Sequence, residues 1–361
     1  MATPMPPPPG PPPGPTPGPT PGPTPGPSAP YAAVPEVATT SPWTYHELQR
    51  GGRGGLWRPL VGSLLLGVGV FIAVPIGMIV PFAFYYVLTG APLEDSMTAL
   101  VDLGNPTPAG LAYLNIVLAS AIPITWLLTR TLHGMKPRWL ASVAPRIRWG
   151  YFVVCLLLSM VALVATLMVS LLLPEQSGAE ITGDPNSFTD RTRDFLLVVL
   201  LLTPFQAAGE EYLFRGYLTQ AFGGIFGRYG ATLGKALAIV GPAVLFALAH
   251  GAQDPPIFFD RLAFGLVAGV LVILTGGLEA AIAMHVLNNF VAFGLALAFS
   301  DMASALNPAG GSWWSIPTTL TQSLVYLGLA VLVARRMRLR TTADAPVLVA
   351  PRAPVYRFPS A

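Results

Sequence analysis

Three charged residues, Glu210, Glu211 and Arg215, stand in the otherwise apolar run from Gly209 to Tyr217. Further along, His250 follows Phe246 by four residues, and His285 precedes Asn288 and Asn289 within another apolar segment. An ionisable group inside a membrane helix costs about 2.5–3.5 kcal/mol on insertion scales, so each of these is by default a candidate functional group. On a helix, adjacent side chains diverge while those four apart share a face. Arg215 is thereby expected to neutralise Glu211 and hold the helix in place, leaving Glu210 free to face a cavity. By the same spacing Phe246 and His250 share a face, as do His285 and Asn289. A free carboxylate, two imidazoles and an amide are the parts needed for hydrolysis: a general base for water and donors for an oxyanion. Glu210, His250 and His285 could instead supply a zinc site with an open position. The common metalloprotease spacing His-Glu-x-x-His is absent. A third reading makes the whole set a packing network of satisfied polar groups.

The elements that must carry these residues are apolar helices. Of 361 residues, 53% are hydrophobic and only 10% charged, and the mean hydropathy is +0.59. Soluble domains carry roughly a quarter charged residues, so the chain reads as an all-α, polytopic membrane protein. Apolar runs long enough to cross a bilayer core of about 30 Å fall at about 60–88, 109–129, 151–173, 195–220, 231–250, 262–276, 278–299 and 317–334. The sixth is the shortest and ends at Thr275-Gly276-Gly277. The glycine-rich stretch from Gly223 to Gly230 is expected to be an irregular connection. Eight spans put both ends of the chain on one side. Arg50, Arg53 and Arg58, then Arg130, Lys136, Arg138, Arg146 and Arg148, then Arg228 and Lys235, then Arg335, Arg336, Arg338 and Arg340 all fall in alternate loops. By the positive-inside rule those loops, and both termini, are expected to be cytoplasmic.

Residues 1–40 carry the repeat Gly-Pro-Thr-Pro and, like 341–361, are expected to form disordered Pro-rich tails around a membrane domain at 41–340. The first could also be a Pro-rich docking ligand. No basic n-region precedes a short apolar stretch near Met1, so insertion is expected to rely on the first membrane helix. Ser41 and Pro42 are placed to start a short helix whose Trp43 and Tyr45 suit a membrane interface. The single cysteine, Cys155, excludes an internal disulfide and a thiolate metal cluster. A net charge of +3 dispersed among apolar runs excludes a nucleic-acid partner.

Taken in order, Glu-Glu-x-x-x-Arg (Glu210, Glu211, Arg215), Phe-x-x-x-His (Phe246, His250) and His-x-x-x-Asn (His285, Asn289) resemble the CAAX-prenyl protease type II and bacteriocin-processing family of intramembrane endopeptidases, also called the Abi or CPBP family. The Thr-Gly-Gly-Leu turn at 275–278 is similar to the family as well, and the resemblance covers about residues 195–300. It implies an endopeptidase in which Glu210 activates water together with His250 and in which His285 and Asn289 stabilise the oxyanion. Glu211 and Arg215 would be supporting residues. It implies a protein or peptide substrate, membrane-associated or lipidated in some relatives, and residence in a bacterial cell membrane. No cofactor is expected, the zinc alternative resting on Glu210, His250 and His285.

Two other functions fit the same buried cluster: a non-catalytic immunity or scaffold protein, and a proton-coupled transporter, although the hydropathy pattern shows no internal repeat. One difficulty accompanies the hydrolytic reading. With spans drawn as above, Glu210 lies roughly 22 Å inside its helix, whereas His250 stands at the end of its own, leaving 14 Å or more to close by a later helix start, tilt or membrane indentation.

Overall fold

Among the described residues of the computed structural model, eight helices are long and apolar enough to cross a membrane. We label them α1 (Trp57–Thr89), α2 (Pro108–Thr131), α3 (Trp149–Ser170), α4 (Asp190–Phe226), α5 (Ala231–Ala249), α6 (Pro255–Thr275), α7 (Glu279–Phe299) and α8 (Ser315–Arg336). The structure describes residues 42–173, 184–251, 254–308 and 311–344, together with Gly10 and Gly14. The expected tail over 1–40 otherwise lies outside the described residues, as do the proposed Ser41 cap and residues 345–361 of the second expected tail. All eight expected spans are present.

The sixth span differs from its expected outline. It begins at Pro255 rather than near 262, capped by Asp254, whose carboxylate accepts from the Ile257 N–H at 3.2 Å. Asp260 and Arg261 interrupt the apolar pattern there. The two pair side by side, Arg261 Nη1 to Asp260 Oδ2 at 3.3 Å, so the helix runs through them. The Gly223–Gly230 stretch is also more regular than expected, because Gly223 and Gly224 are helical and only the turn after Phe226 is not. Gly223 stands where any Cβ would collide with the His46 carbonyl.

Before α1, the short helix starts later than Ser41. Trp43–Thr44 form strand β1, and a 3₁₀ turn over Tyr45–Gly51 is capped by Thr44 and Glu47. Tyr45 is fully buried and donates its hydroxyl to the Leu140 carbonyl, so it is a packing residue and not an interfacial one. β1 pairs antiparallel with β2, Thr342–Ala343, where a disordered tail was expected. That pairing holds the segments before the first and after the last span together at one end of the bundle.

α4 packs along α2 and α7 and, through its last turns, against α5 and the 3₁₀ turn; α7 packs on α3 as well, and α8 on α3 and α6. The start of α7 is clamped from outside. Val143 N–H donates to Gly276 O and Leu278 N–H to Ala141 O, each at 2.9 Å, joining the 141–143 loop to the α6–α7 turn. Beside them Arg148 donates through Nε and Nη2 to the two oxygens of the fully buried Glu279, at 2.8 and 2.6 Å, and through Nη1 to Thr275 O at 2.9 Å. Removing one partner of such a buried pair strands the other charge at a cost of about 3–5 kcal/mol. Glu279→Ala is therefore expected to lower the thermal unfolding temperature of the purified protein clearly more than Arg338→Ala, an exposed change in the same basic region; equal unfolding temperatures would remove the clamp from the fold's essential contacts.

A second buried polar contact lies beyond the end of α2, where His133 Nε2 and the Tyr217 hydroxyl are 2.8 Å apart. Burial, reinforced by the Arg58 guanidinium, pushes the His133 imidazole down to about 4 from its ordinary 6.5. Between those values the unfolded chain binds a proton that the folded one does not, so stability falls as pH drops from 6.5 toward 4, by roughly 3 kcal/mol. His133→Gln, which keeps a partner for Tyr217, should flatten this stretch of the pH profile of thermal unfolding, and an unchanged slope would assign the loss to other groups.

Candidate active site

Glu210 and Glu211 sit where the α-helical part of α4 passes into a π-helical turn over Tyr212–Leu218. Such turns insert an extra residue and often mark functional positions. Just before them, Gly209 presses on the middle of α2, where a Cβ would meet the Leu118 carbonyl oxygen and lie 2.9 Å from Ala119 Cα. Only glycine lets the two backbones approach this closely.

The four-residue spacing pairs Arg215 with Glu211 as expected, Nη1 to Oε1 at 3.0 Å, with both side chains essentially inaccessible. Arg215 is also enclosed by rings: its Cζ lies 4.2 Å from the Phe246 centroid, 5.7 Å from Phe264 and 5.9 Å from Phe214. Aromatic faces substitute for part of the hydration that a buried guanidinium loses. Glu211 does more than meet this arginine. The same Oε1 lies 2.8 Å from His285 Nδ1, so α7 is fastened to α4 through one carboxylate oxygen. Because a carboxylate in an ion pair only accepts, His285 Nδ1 must carry its proton, which leaves Nε2 to face elsewhere.

His285 Nε2 points toward Glu210, 3.8 Å from Oε2. Glu210 is 6% exposed, and among the described residues its Oε2 has no hydrogen-bond partner. Its other oxygen, Oε1, accepts a short hydrogen bond from Gln206 Nε2. Gln206 Oε1 in turn accepts from Asn289 Nδ2 at 2.9 Å. A chain Asn289–Gln206–Glu210 therefore crosses from α7 to α4 and fixes the carboxylate with one oxygen held and the other buried without a partner among the described residues. Gln206 escaped the sequence reading. Its signal was present, since it lies four residues before Glu210 on the same face in a run with few polar residues.

His250 is held by its Nδ1, 2.7 Å from the Phe246 carbonyl oxygen, an acceptor that assigns the proton to Nδ1 and leaves Nε2 with a lone pair. Its ring lies 4.4 Å from that of Phe246, and His285 approaches the same ring at 6.0 Å. The phenylalanine of the Phe-x-x-x-His motif is thus the partition around which Arg215, His250 and His285 are arranged. The apparent mismatch in depth disappears because α4 is much longer than expected. From the α4–α5 turn, Glu210 lies roughly 24 Å along one helix and His250 roughly 28 Å along the other. α4 exceeds its expected outline at both ends, to Asp190 and to Phe226, and the added turns before Phe226 are what carry Glu210 to the level of His250.

Among the described residues, no three His, Cys, Asp or Glu side chains come together in a way that could hold a metal ion. Glu210, His250 and His285 therefore do not fit a zinc centre as arranged, and no step below passes through one.

A sequence model of the family described as Type II CAAX prenyl endopeptidase Rce1-like matches residues 192–291. The chain is also similar to an uncharacterized protein, YyaK, of Bacillus subtilis strain 168, at 25% identity over 302 residues that cover 78% of this chain and 93% of that protein. No solved structure matches. The eight apolar helices and the membrane-protease match make this an integral membrane protein. The matched segment starts in α4 and ends in α7, and within it stand Gln206, Glu210, Glu211, Arg215, Phe246, His250, His285 and Asn289: the similarity to the Type II CAAX prenyl endopeptidase Rce1-like family lies in residues 192–291, the part of the chain that holds the whole cluster.

Proposed function

We propose that this protein hydrolyses a peptide bond at the membrane, with Glu210 as the general base that activates water. The observation that carries the reading is the half-satisfied carboxylate of Glu210: one oxygen tied to Gln206, the other without a protein partner and 3.8 Å from His285 Nε2. We place the attacking water against this unpartnered oxygen. Such a water donates one hydrogen to Glu210 Oε2 and the other to His250 Nε2, which turns its lone pair toward a substrate carbonyl. Glu210 takes the first proton as the water oxygen attacks, and the carbonyl electrons move onto oxygen.

The resulting oxyanion needs donors. Asn289 supplies an amide N–H, and His285 supplies Nε2–H when it carries its second proton. Collapse of the tetrahedral intermediate passes the proton from Glu210 to the leaving amine, restoring the carboxylate. Glu211 and Arg215 act through position: they fix the His285 ring and neutralise one another. The substrate class we assign is a membrane-associated or lipidated peptide, and the enzyme works without a cofactor. By the distribution of Lys and Arg, both termini face the cytoplasm of a bacterial cell.

Cleavage of a farnesylated peptide ending in a CAAX sequence, compared with its unlipidated counterpart, tests the activity in purified protein. Glu210→Gln is expected to lower kcat by roughly 10³-fold or more while the protein still inserts and elutes as the wild type does; full activity in that variant would sink the mechanism. Gln206→Leu cuts the chain to Asn289 and is expected to lower kcat by about 10–100-fold with little change in KM, as loss of a hydrogen bond to a charged group implies. A rise in KM alone would instead place Gln206 in substrate binding.

A further inference from the structure

Away from the candidate active site, a second cavity of about 220 Å³ opens where three span ends meet: the start of α1, the end of α2 and the end of α4. Arg50, Arg53 and Arg228 line it, with Gly54 and Gly55 at its rim and His133 among its walls. Each guanidinium is anchored by one edge. Arg53 Nη1 donates to Thr131 O at 3.0 Å, Arg228 Nε to Ile225 O at 3.0 Å, and Arg50 Nη1 to Glu47 Oε1 at 3.2 Å. Arg58 stands beside them, donating through Nε to Leu132 O at 3.0 Å. Three arginines thus line one cavity, with Arg58 at the adjoining start of α1, and among the described residues Arg50 is the one of them that an ion pair with a carboxylate, Glu47, engages.

Capping helix carbonyls uses one edge of a guanidinium and accounts for one arginine per helix end; it does not account for their convergence on one cavity. Arg53 and Arg228 are both exposed, and their remaining N–H groups have no protein acceptor among the described residues. The backbone N–H groups of Gly54 and Gly55 likewise donate to none of the described residues. Guanidinium forks lining one cavity, with backbone donors beside them, are the donor types that the oxygens of a phosphate accept from. The position suits a group at the membrane surface. Trp57, half exposed beneath the Arg58 guanidinium at 4.6 Å, marks the level at which α1 emerges.

We propose that this cavity binds a phosphate group, presented by an anionic phospholipid headgroup or as free phosphate. The test is thermal unfolding of the purified full chain in detergent, titrated separately with dihexanoyl phosphatidylglycerol, dihexanoyl phosphatidylcholine and inorganic phosphate. Saturable stabilisation by phosphatidylglycerol alone assigns the phosphate to lipid; stabilisation by inorganic phosphate assigns it to a soluble source. The double variant Arg53→Gln/Arg228→Gln should weaken the effective ligand by roughly tenfold or more, and Arg228→Lys, which keeps the charge, should weaken it less. Arg335→Gln, at the C-terminal end of α8 and outside the cavity lining, serves as the control and should leave binding unchanged. Failure of every ligand to stabilise the wild type, equal stabilisation by phosphatidylcholine and phosphatidylglycerol, or equal weakening by Arg335→Gln would each overturn the proposal.

Discussion

One carboxylate oxygen organises the centre of this protein. Glu211 Oε1 accepts from Arg215 within α4 and from His285 across to α7, so an intrahelical ion pair and an interhelical contact share a single atom. Inside a membrane-spanning bundle, unpaired charge is far costlier than at the surface of a soluble protein, and both partners are committed by that cost. Arg215 is committed further by the rings of Phe246, Phe264 and Phe214. The result is a rigid base on which the neighbouring carboxylate, Glu210, can be left incompletely satisfied. A site with only one glutamate would have to choose between holding α7 and doing chemistry.

The backbone around this base is shaped to the same end. Gly209 brings α4 onto α2 at the level of the two glutamates, and the π-helical turn immediately after them displaces Arg215 and Tyr217 relative to a regular helix. Tyr217 then reaches His133 beyond the end of α2. The segment that carries the charged cluster is therefore fixed both by a close backbone approach before it and by a buried side-chain contact after it. Such support is what holds a carboxylate in one orientation rather than among several rotamers.

How far the sequence reveals this depends on the range of the interaction. Contacts within one helix follow from spacing alone, which is why Glu211 and Arg215 could be paired and Glu210 singled out. The eight spans are legible because a run of about twenty apolar residues has few other uses. What escaped were contacts between helices and pairs that mask themselves. The Glu211–His285 contact joins residues 74 apart in sequence, and Gln206 matters only because α7 brings Asn289 to it. Asp260 and Arg261 concealed the start of α6 because an average over hydropathy counts two charges where the helix contains one pair. β2 was hidden for a different reason: two residues of strand next to a Pro-rich segment leave no periodicity to read.

The depth of His250 shows why boundaries decide more than motifs do. Measured from an assumed end at residue 195, Glu210 and His250 belonged to different levels of the membrane. Measured from the turn that joins α4 to α5, they stand within a few ångströms, because a hairpin of two antiparallel helices aligns residues by distance from their shared turn and not from their free ends. The same reasoning applies on the other side of the site. His285 and Asn289 lie six and ten residues into α7, whose start is tied by Glu279 to Arg148 and by Leu278 to Ala141. The α4–α5 turn and the α6–α7 clamp each set the level of one half of the cluster. Neither contains a residue of the three sequence motifs, yet the level of Glu210 against His250 and of Glu210 against His285 is set by them.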